Sequence, residues 1–194
     1  MTPLIIGIDH GYSSIKTTNF VFPSGVVAFD APPPVQQGLL EFEGRFYVCG
    51  GGRQPLTKDK TANDNYFLLT LAALAKEVKL RTGEGKVEVI IAAGLPLTSF
   101  GRNKTAFRHY LLSHAQPVKY RFEGMEYEIN IADAIIQPQG YCAIAINSAI
   151  LRDEPSIVAA DIGGWTMDLM RIDRGNVDTA TCRSLEIGVI RCMD

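Results

Sequence analysis

The chain has 194 residues, 46% of them apolar, with 19 Lys and Arg against 21 Asp and Glu for a formal charge of −2. That size and composition can bury a core in one large or two small domains, and the lack of a Lys/Arg block argues against direct nucleic-acid binding. The start, Met1 to Asp9, has no basic n-region and meets a carboxylate early, and no apolar run is long enough for a bilayer, so a soluble, cytoplasmic protein that does not engage membrane is expected.

Taken in order, Leu4 to Asp9 and Ile15 to Phe22 read as strands joined by a turn at Asp9 to Ser14. Val26 to Phe29 follows as a third, so the chain opens as a β-meander. Residues 31 to 38 are a proline-rich loop. Leu40 to Val48 alternates around Glu43-Gly44 as a hairpin, and Gly50-Gly51-Gly52 ends it. From Asn63-Asp64 the spacing of Phe67, Leu68, Leu71, Leu74, Ala75 and Val78 predicts a long amphipathic helix that breaks at Gly83.

Val87 to Ala93 is an apolar strand closed by Gly94-Leu95-Pro96, before a basic helix from about Gly101 to His114. Lys119 to Phe122 and Tyr127 to Ile131 flank Glu123-Gly124 as a second hairpin, and a helix follows Gln137-Pro138-Gln139-Gly140 through Ile150. The last third repeats the opening theme, with strands at 157–161, 165–172 and 176–182 and a helix from about Ser184. Pro155 is the candidate boundary, and the mixture of meanders and helices predicts an α/β fold with mixed sheets. Cys49, Cys142, Cys182 and Cys192 show no ligand or disulfide spacing and are expected to be reduced.

Two stretches carry chemistry. In GIDHGYSSIKT, residues 7 to 17, a glycine turn between strands exposes backbone N–H groups that can cup an anion, and Ser13, Ser14 and Lys16 add donors and a positive charge. A carboxylate beside a phosphate is repulsive unless a divalent cation lies between them, so strand-terminal Asp9 implies Mg²⁺ held largely through water. DIGGWTMD, residues 161 to 168, has the same form, with Asp161 before Gly163-Gly164. Either alone reads equally as an ordinary acidic hairpin. As a pair about 150 residues apart, they can grip a polyphosphate and its metal from two sides. His10 is expected to be a solvent-facing turn residue, and Asp168 an exposed strand residue or a support for its hairpin.

These two stretches, with FYVCGGG before a long helix, IIAAGLP, IIQPQGY and SLEIGVI, resemble in order the motifs of the ParM/StbA-type bacterial actin-like ATPases, within the actin, sugar kinase and heat-shock chaperone superfamily. The resemblance implies an actin-like, ribonuclease H-like fold. Residues 1–154 would form domain I with a smaller subdomain inserted over roughly 31–133, and 155–194 would begin an incomplete domain II. It implies ATP or GTP with Mg²⁺, the metal held through water by Asp9 and Asp161. The phosphates would be lined by Gly11, Tyr12, Ser13, Ser14, Lys16, Gly163, Gly164, Trp165 and Thr166. Gln139 and Asp161 would be the catalytic pair, with Gln139 orienting the attacking water rather than deprotonating it, so that hydrolysis is slow.

The partners implied are further copies of the chain in a filament and a DNA-binding adaptor of a plasmid partition system. Trp165 departs from the small polar residue usual after the glycines. An adenine-binding segment is not written in these residues, which predicts that residues 1–194 alone bind ATP weakly or not at all and do not polymerise with it, and that an apolar sheet face is exposed. Two other readings stay open: a small-molecule kinase, with Asp133 as the candidate base, and a non-catalytic actin-like assembly module.

Overall fold

The computed structural model describes residues 2–55, 59–146 and 148–189. Its elements are β1 (Leu4–His10), β2 (Ser14–Lys16), β3 (Val21–Pro23), β4 (Val26–Phe29), β5 (Leu39–Phe42), β6 (Arg45–Cys49), α1 (Asn65–Thr82), β7 (Lys86–Leu95) and α2 (Leu97–Leu112). They continue with β8 (Val118–Phe122), β9 (Met125–Pro138), α3 (Tyr141–Ala145), α4 (Ser148–Asp153), β10 (Ser156–Ile162), β11 (Met167–Asp173), β12 (Asn176–Val177) and β13 (Arg183–Leu185). By packing, the chain divides into residues 1–93 with 106–135, and residues 94–105 with 136–194. Pro155 therefore lies inside the second unit, where its carbonyl accepts from Arg174 N–H at 3.0 Å. Among the described residues no helix is long and apolar enough to cross a membrane.

The first unit is built on a nine-stranded sheet in the order β3-β2-β1-β7-β9-β8-β5-β6-β4. β1 pairs antiparallel with β2 and parallel with β7, with Leu4 opposite Val89 and Ile8 opposite Ala93. The terminal strands β3 and β4 are consecutive in sequence and joined only by Ser24-Gly25. Laid flat, nine strands would separate those edges by about 38 Å, whereas the link from Pro23 to Val26 reaches at most about 11 Å. The sheet must curl until its edges approach. Gly25 permits this, since a Cβ there would lie 2.5 Å from the Gly52 backbone.

The curl encloses α1. Every residue from Tyr66 to Ala75 is buried, so the helix is central rather than amphipathic as its spacing predicts: the sheet covers one side and Phe107 and Leu111 of α2 pack in the same core. Its first turn is capped in an unforeseen way. Tyr110 Oη accepts from Phe67 N–H at 2.7 Å and donates to the Asn63 carbonyl at 2.8 Å, while Asp64 makes no side-chain cap. Gly83, at φ 71°, ends the helix with its N–H on the Lys79 carbonyl.

The second unit holds a four-stranded sheet in which β10 and β11 form a long antiparallel hairpin and β12 and β13 both pair with β11. Met170, Ile172 and Cys182 form its core with Leu97, Tyr141, Ile144, Ile157, Ala159 and Val177 against them. On the other face Val158 is 70% and Ile162 61% exposed.

Several expected elements differ. Ile15 to Phe22 is two strands, because Thr17 N–H bonds to the Phe20 carbonyl at 2.8 Å and turns the chain. The meander stops at β3, and β4 pairs with β6 instead. α2 begins four residues early, at Leu97, and β9 runs on through Pro138 before α3 and α4 replace the single helix expected through Ile150. The strand expected at 165–172 starts at Met167, and that at 176–182 shortens to Asn176–Val177 because Asp178 turns the chain by accepting Ala180 N–H on its side chain and Thr181 N–H on its carbonyl. The helix expected from Ser184 is absent through Val189: β13 pairs with β11 there, and residues 190–194 lie outside the described residues. Cys49, Cys142 and Cys182 are free thiols, and Cys192 lies outside the described residues.

Candidate functional site

Each unit carries one of the two acidic hairpins. In the first, Asp9 stands opposite Lys16 across β1 and β2, and their charged ends meet at 3.2 Å with both side chains partly exposed. The intervening turn is tight: a Cβ on Gly11 would lie 2.6 Å from the Ser14 carbonyl oxygen. Ser24 holds the turn from below, its Oγ donating to the Tyr12 carbonyl at 2.5 Å and its N–H to the Ser13 carbonyl at 3.1 Å. Lys60, 6% exposed, donates to the His10 carbonyl at 2.5 Å, and its ammonium lies 5.4 Å from the Tyr12 ring centroid and 5.7 Å from that of Tyr66.

His10 is not a solvent-facing turn residue. It is fully buried, edge-on to Phe107, with Nε2 2.8 Å from Thr70 Oγ1. Thr70 spends its own hydrogen on the Tyr66 carbonyl, so the imidazole donates from Nε2. Burial, reinforced by the Lys60 charge, pushes its pKa down to about 3. The alternation of β1 places position 10 on the inner face with Ile6 and Ile8, and a polar residue there is tolerated because α1 presents Thr70.

In the second unit Gln139 and Asp161, two of the residues expected to act on water and metal, come together. Gln139 N–H bonds to the Leu95 carbonyl at 2.8 Å, and the Gln139 side chain lies across Gly94, where a Cβ would meet its Cγ at 2.6 Å. Gly140, at φ 76°, brings the chain against Asp161, whose carboxylate oxygen would be 3.9 Å from a Cβ at that position. Gln139, Gly140, Asp161, Asp168, Thr98 and Arg183 line one small cavity with room for about one water molecule.

Asp161 and Asp168 are directly opposed across β10 and β11. Two like charges in that register repel unless a cation or proton lies between them. Asp168 is not an exposed strand residue: it is half-buried, Oδ2 accepts from Thr166 Oγ1 at 3.3 Å, and buried Oδ1 has no partner among the described residues. No group of three or more His, Cys, Asp or Glu side chains among the described residues forms a metal cage. An opposed carboxylate pair with an orphaned oxygen and space for water fits Mg²⁺, which keeps several waters and takes the remaining ligands from phosphate.

The 163–166 turn closes with Gly163 N–H on the Thr166 carbonyl at 2.8 Å, and Gly164 and Trp165 form its tip, Trp165 half-buried. Gly188 N–H donates to the Trp165 carbonyl and Val189 N–H to the Gly163 carbonyl, at 2.8 and 3.0 Å. A Cβ on Gly188 would sit 2.4 Å from the Trp165 backbone. Ser24 and Lys60 escape sequence reasoning because they lie outside the motifs they hold, and the contacts of Gly94 with Gln139 and of Gly188 with Trp165 are not visible in their own motifs. Asp133 is already engaged, bonded to Arg108 at 2.7 Å and to Ala134 N–H at 2.6 Å, and these bonds hold its carboxyl below the usual range.

A family profile described as the N-terminal domain of actin-like proteins matches residues 7–141. No curated protein matches by sequence. Among solved structures, the archaeal actin homolog Ta0583 in complex with ADP superposes with a TM-score of 0.75 at 23% identity, over 96% of this chain and 61% of that one. The apo psk41 ParM protein gives 0.75 at 17% identity, over 98% and 68%. The AlfA filament bound to AMPPNP gives 0.69 at 19% identity, over 97% and 72%. The chain thus has the actin-like fold and spans between about three fifths and three quarters of the length of these structures.

Proposed function

The chain belongs to the actin-like proteins, and from that premise we propose that it binds Mg·ATP through its two acidic hairpins, hydrolyses it slowly and assembles into filaments that segregate plasmid DNA through a DNA-binding adaptor. The observation that carries this reading is the meeting of Gln139, Asp161 and Asp168 around a cavity sized for one water. Relatives of the same fold are described as bound to ADP and AMPPNP and as forming filaments, which supports nucleotide binding and self-association here. Assignment of 1–154 and 155–194 to the two actin-like domains belongs to the same proposal.

The residue roles follow from chemistry. Bound Mg²⁺ would neutralise phosphate charge. Asp9 and Asp161 would accept hydrogen bonds from its waters, and Asp168 would support Asp161 through Thr166 and their shared register. Lys16, which in this structure is paired with Asp9, would turn its ammonium to the outer phosphates. A carboxamide is too weak a base to take a proton, so Gln139 would hold the attacking water by hydrogen bonds. Engagement of Asp133 by Arg108 and the Ala134 amide leaves the kinase reading without a free base at that position.

The test is co-sedimentation and phosphate release with ATP and Mg²⁺, comparing the unsubstituted protein with Asp161→Ala. Nucleotide-dependent pelleting and a loss of turnover by about a hundredfold or more in the variant, the cost of losing one preorganised electrostatic group, are expected. Unchanged turnover in Asp161→Ala would overturn the site, and a protein that neither binds nor pellets with nucleotide would be the non-catalytic module.

A further inference from the structure

We infer that Ser24 and Lys60 are positioning residues that build the phosphate nest of the first hairpin by fixing the orientation of its peptide planes; the inference rests on the phosphate reading of that turn. Three carbonyls of the turn bond to these two buried residues. Lys60 Nζ takes that of His10 at 2.5 Å, Ser24 Oγ that of Tyr12 at 2.5 Å, and Ser24 N–H that of Ser13 at 3.1 Å.

The only cis peptide bond among the described residues is Gln116–Pro117, so these three peptides are trans. In a trans plane the C=O of one residue and the N–H of the next point in opposite directions. Pinning the carbonyls of His10, Tyr12 and Ser13 inward therefore turns the N–H groups of Gly11, Ser13 and Ser14 the other way, toward the side of the turn that Ser24 and Lys60 do not occupy. A cluster of backbone N–H groups aimed to one side is an anion-binding concavity.

Both clamps are built into the core. Ser24 is fully buried and belongs to the two-residue link that closes the curled sheet, and Lys60 is 6% exposed with its ammonium against the Tyr12 and Tyr66 rings. A buried ammonium is costly unless carbonyl and π-face contacts offset its lost hydration. Here those contacts also fix the ammonium beside the turn, against the His10 carbonyl and the Tyr12 ring. Gly11 completes the arrangement, because any side chain would strike the Ser14 carbonyl.

The experiment uses the full chain and its Ser24→Ala, Lys60→Met and Lys60→Arg variants. Affinity for Mg·ATP is measured by calorimetry, and the backbone amide resonances of Gly11, Ser13 and Ser14 are followed as Mg²⁺ and inorganic tripolyphosphate are added. Thermal unfolding is recorded alongside. We expect Ser24→Ala to weaken Mg·ATP about tenfold and Lys60→Met about a hundredfold, with Lys60→Arg close to the unsubstituted protein. The three amide resonances should shift with tripolyphosphate in the unsubstituted protein and fail to shift in Ser24→Ala at a temperature where it is folded. Folded Ser24→Ala and Lys60→Met with unchanged affinity, and the same amide shifts in Ser24→Ala, would overturn the inference while leaving the phosphate reading intact. An unsubstituted protein that binds neither probe would overturn both.

Discussion

At the scale of single residues, His10 shows how burial redirects chemistry. Its folded pKa near 3 lies below the ordinary 6.5, so the unfolded chain takes up a proton that the native state refuses. The stability that the neutral ring contributes is therefore fully present above about pH 6.5 and is lost as pH falls toward 3. Between pH 7 and pH 4.5 urea titrations should lose about 2 kcal/mol from this group, and His10→Gln should remove most of that slope. Gln139 belongs to the same scale. If it orients water only as the transition state forms, Gln139→Ala should lower turnover about ten- to a hundredfold with little change in nucleotide affinity, read from single-turnover kinetics and calorimetry. Its motif is visible in the chain, but its contact with Gly94 and its cavity shared with Asp161 are not, because 45 residues separate Gln139 from Gly94.

Among elements, the turn between β2 and β3 is held by α1. Glu77 is buried in that helix, where its carboxylate accepts from Thr17 Oγ1 at 2.6 Å and from Asn19 N–H and Nδ2 at 3.0 Å, with Arg81 at 4.0 Å. Desolvation raises its pKa, but the Thr17 and Asn19 donors outweigh it and the net direction is down, so the group stays ionised. Glu77→Ala leaves those donors unsatisfied and should cost about 2–4 kcal/mol in chemical denaturation, a cost that Glu77→Gln recovers in part. From sequence, Glu77 reads as one more charged residue on a helix, because its partners lie some 60 positions earlier. The hairpins at Glu43-Gly44 and Glu123-Gly124 were legible, since their turns are local: Gly44 and Gly124 sit at φ 75° and 80°.

Across the whole molecule, the two units differ in how much core they hold. The first encloses α1 within a curled sheet, with Phe67, Leu69, Leu71, Leu74, Ile91 and Ile129 fully buried, whereas the second packs a sheet on one face around Met170, Ile172 and Cys182. Amides that open only by disrupting a large core exchange slowly. Hydrogen exchange followed by mass spectrometry should therefore show α1, β1 and β7 protected for at least about tenfold longer than β10 and β11. Equal protection would mean that the open face bearing Val158 and Ile162 is covered in solution.

The sequence by itself determined the α/β class, most strand positions, both glycine turns and the strand-end carboxylates Asp9 and Asp161, because alternation, helical spacing and turn chemistry act within a few residues. It also carried the ordered motifs by which the actin-like family is recognised. Tertiary structure alone decided that β4 leaves β3 to pair with β6, that α1 is buried from Tyr66 through Ala75, and that His10 faces inward on Thr70. It likewise decided that Gly188 closes on Trp165 and that Ser24 and Lys60 hold the first turn. Each of these depends on which surfaces meet after the chain has curled, and that choice is set by summed burial and hydrogen bonding across tens of residues rather than by any local pattern.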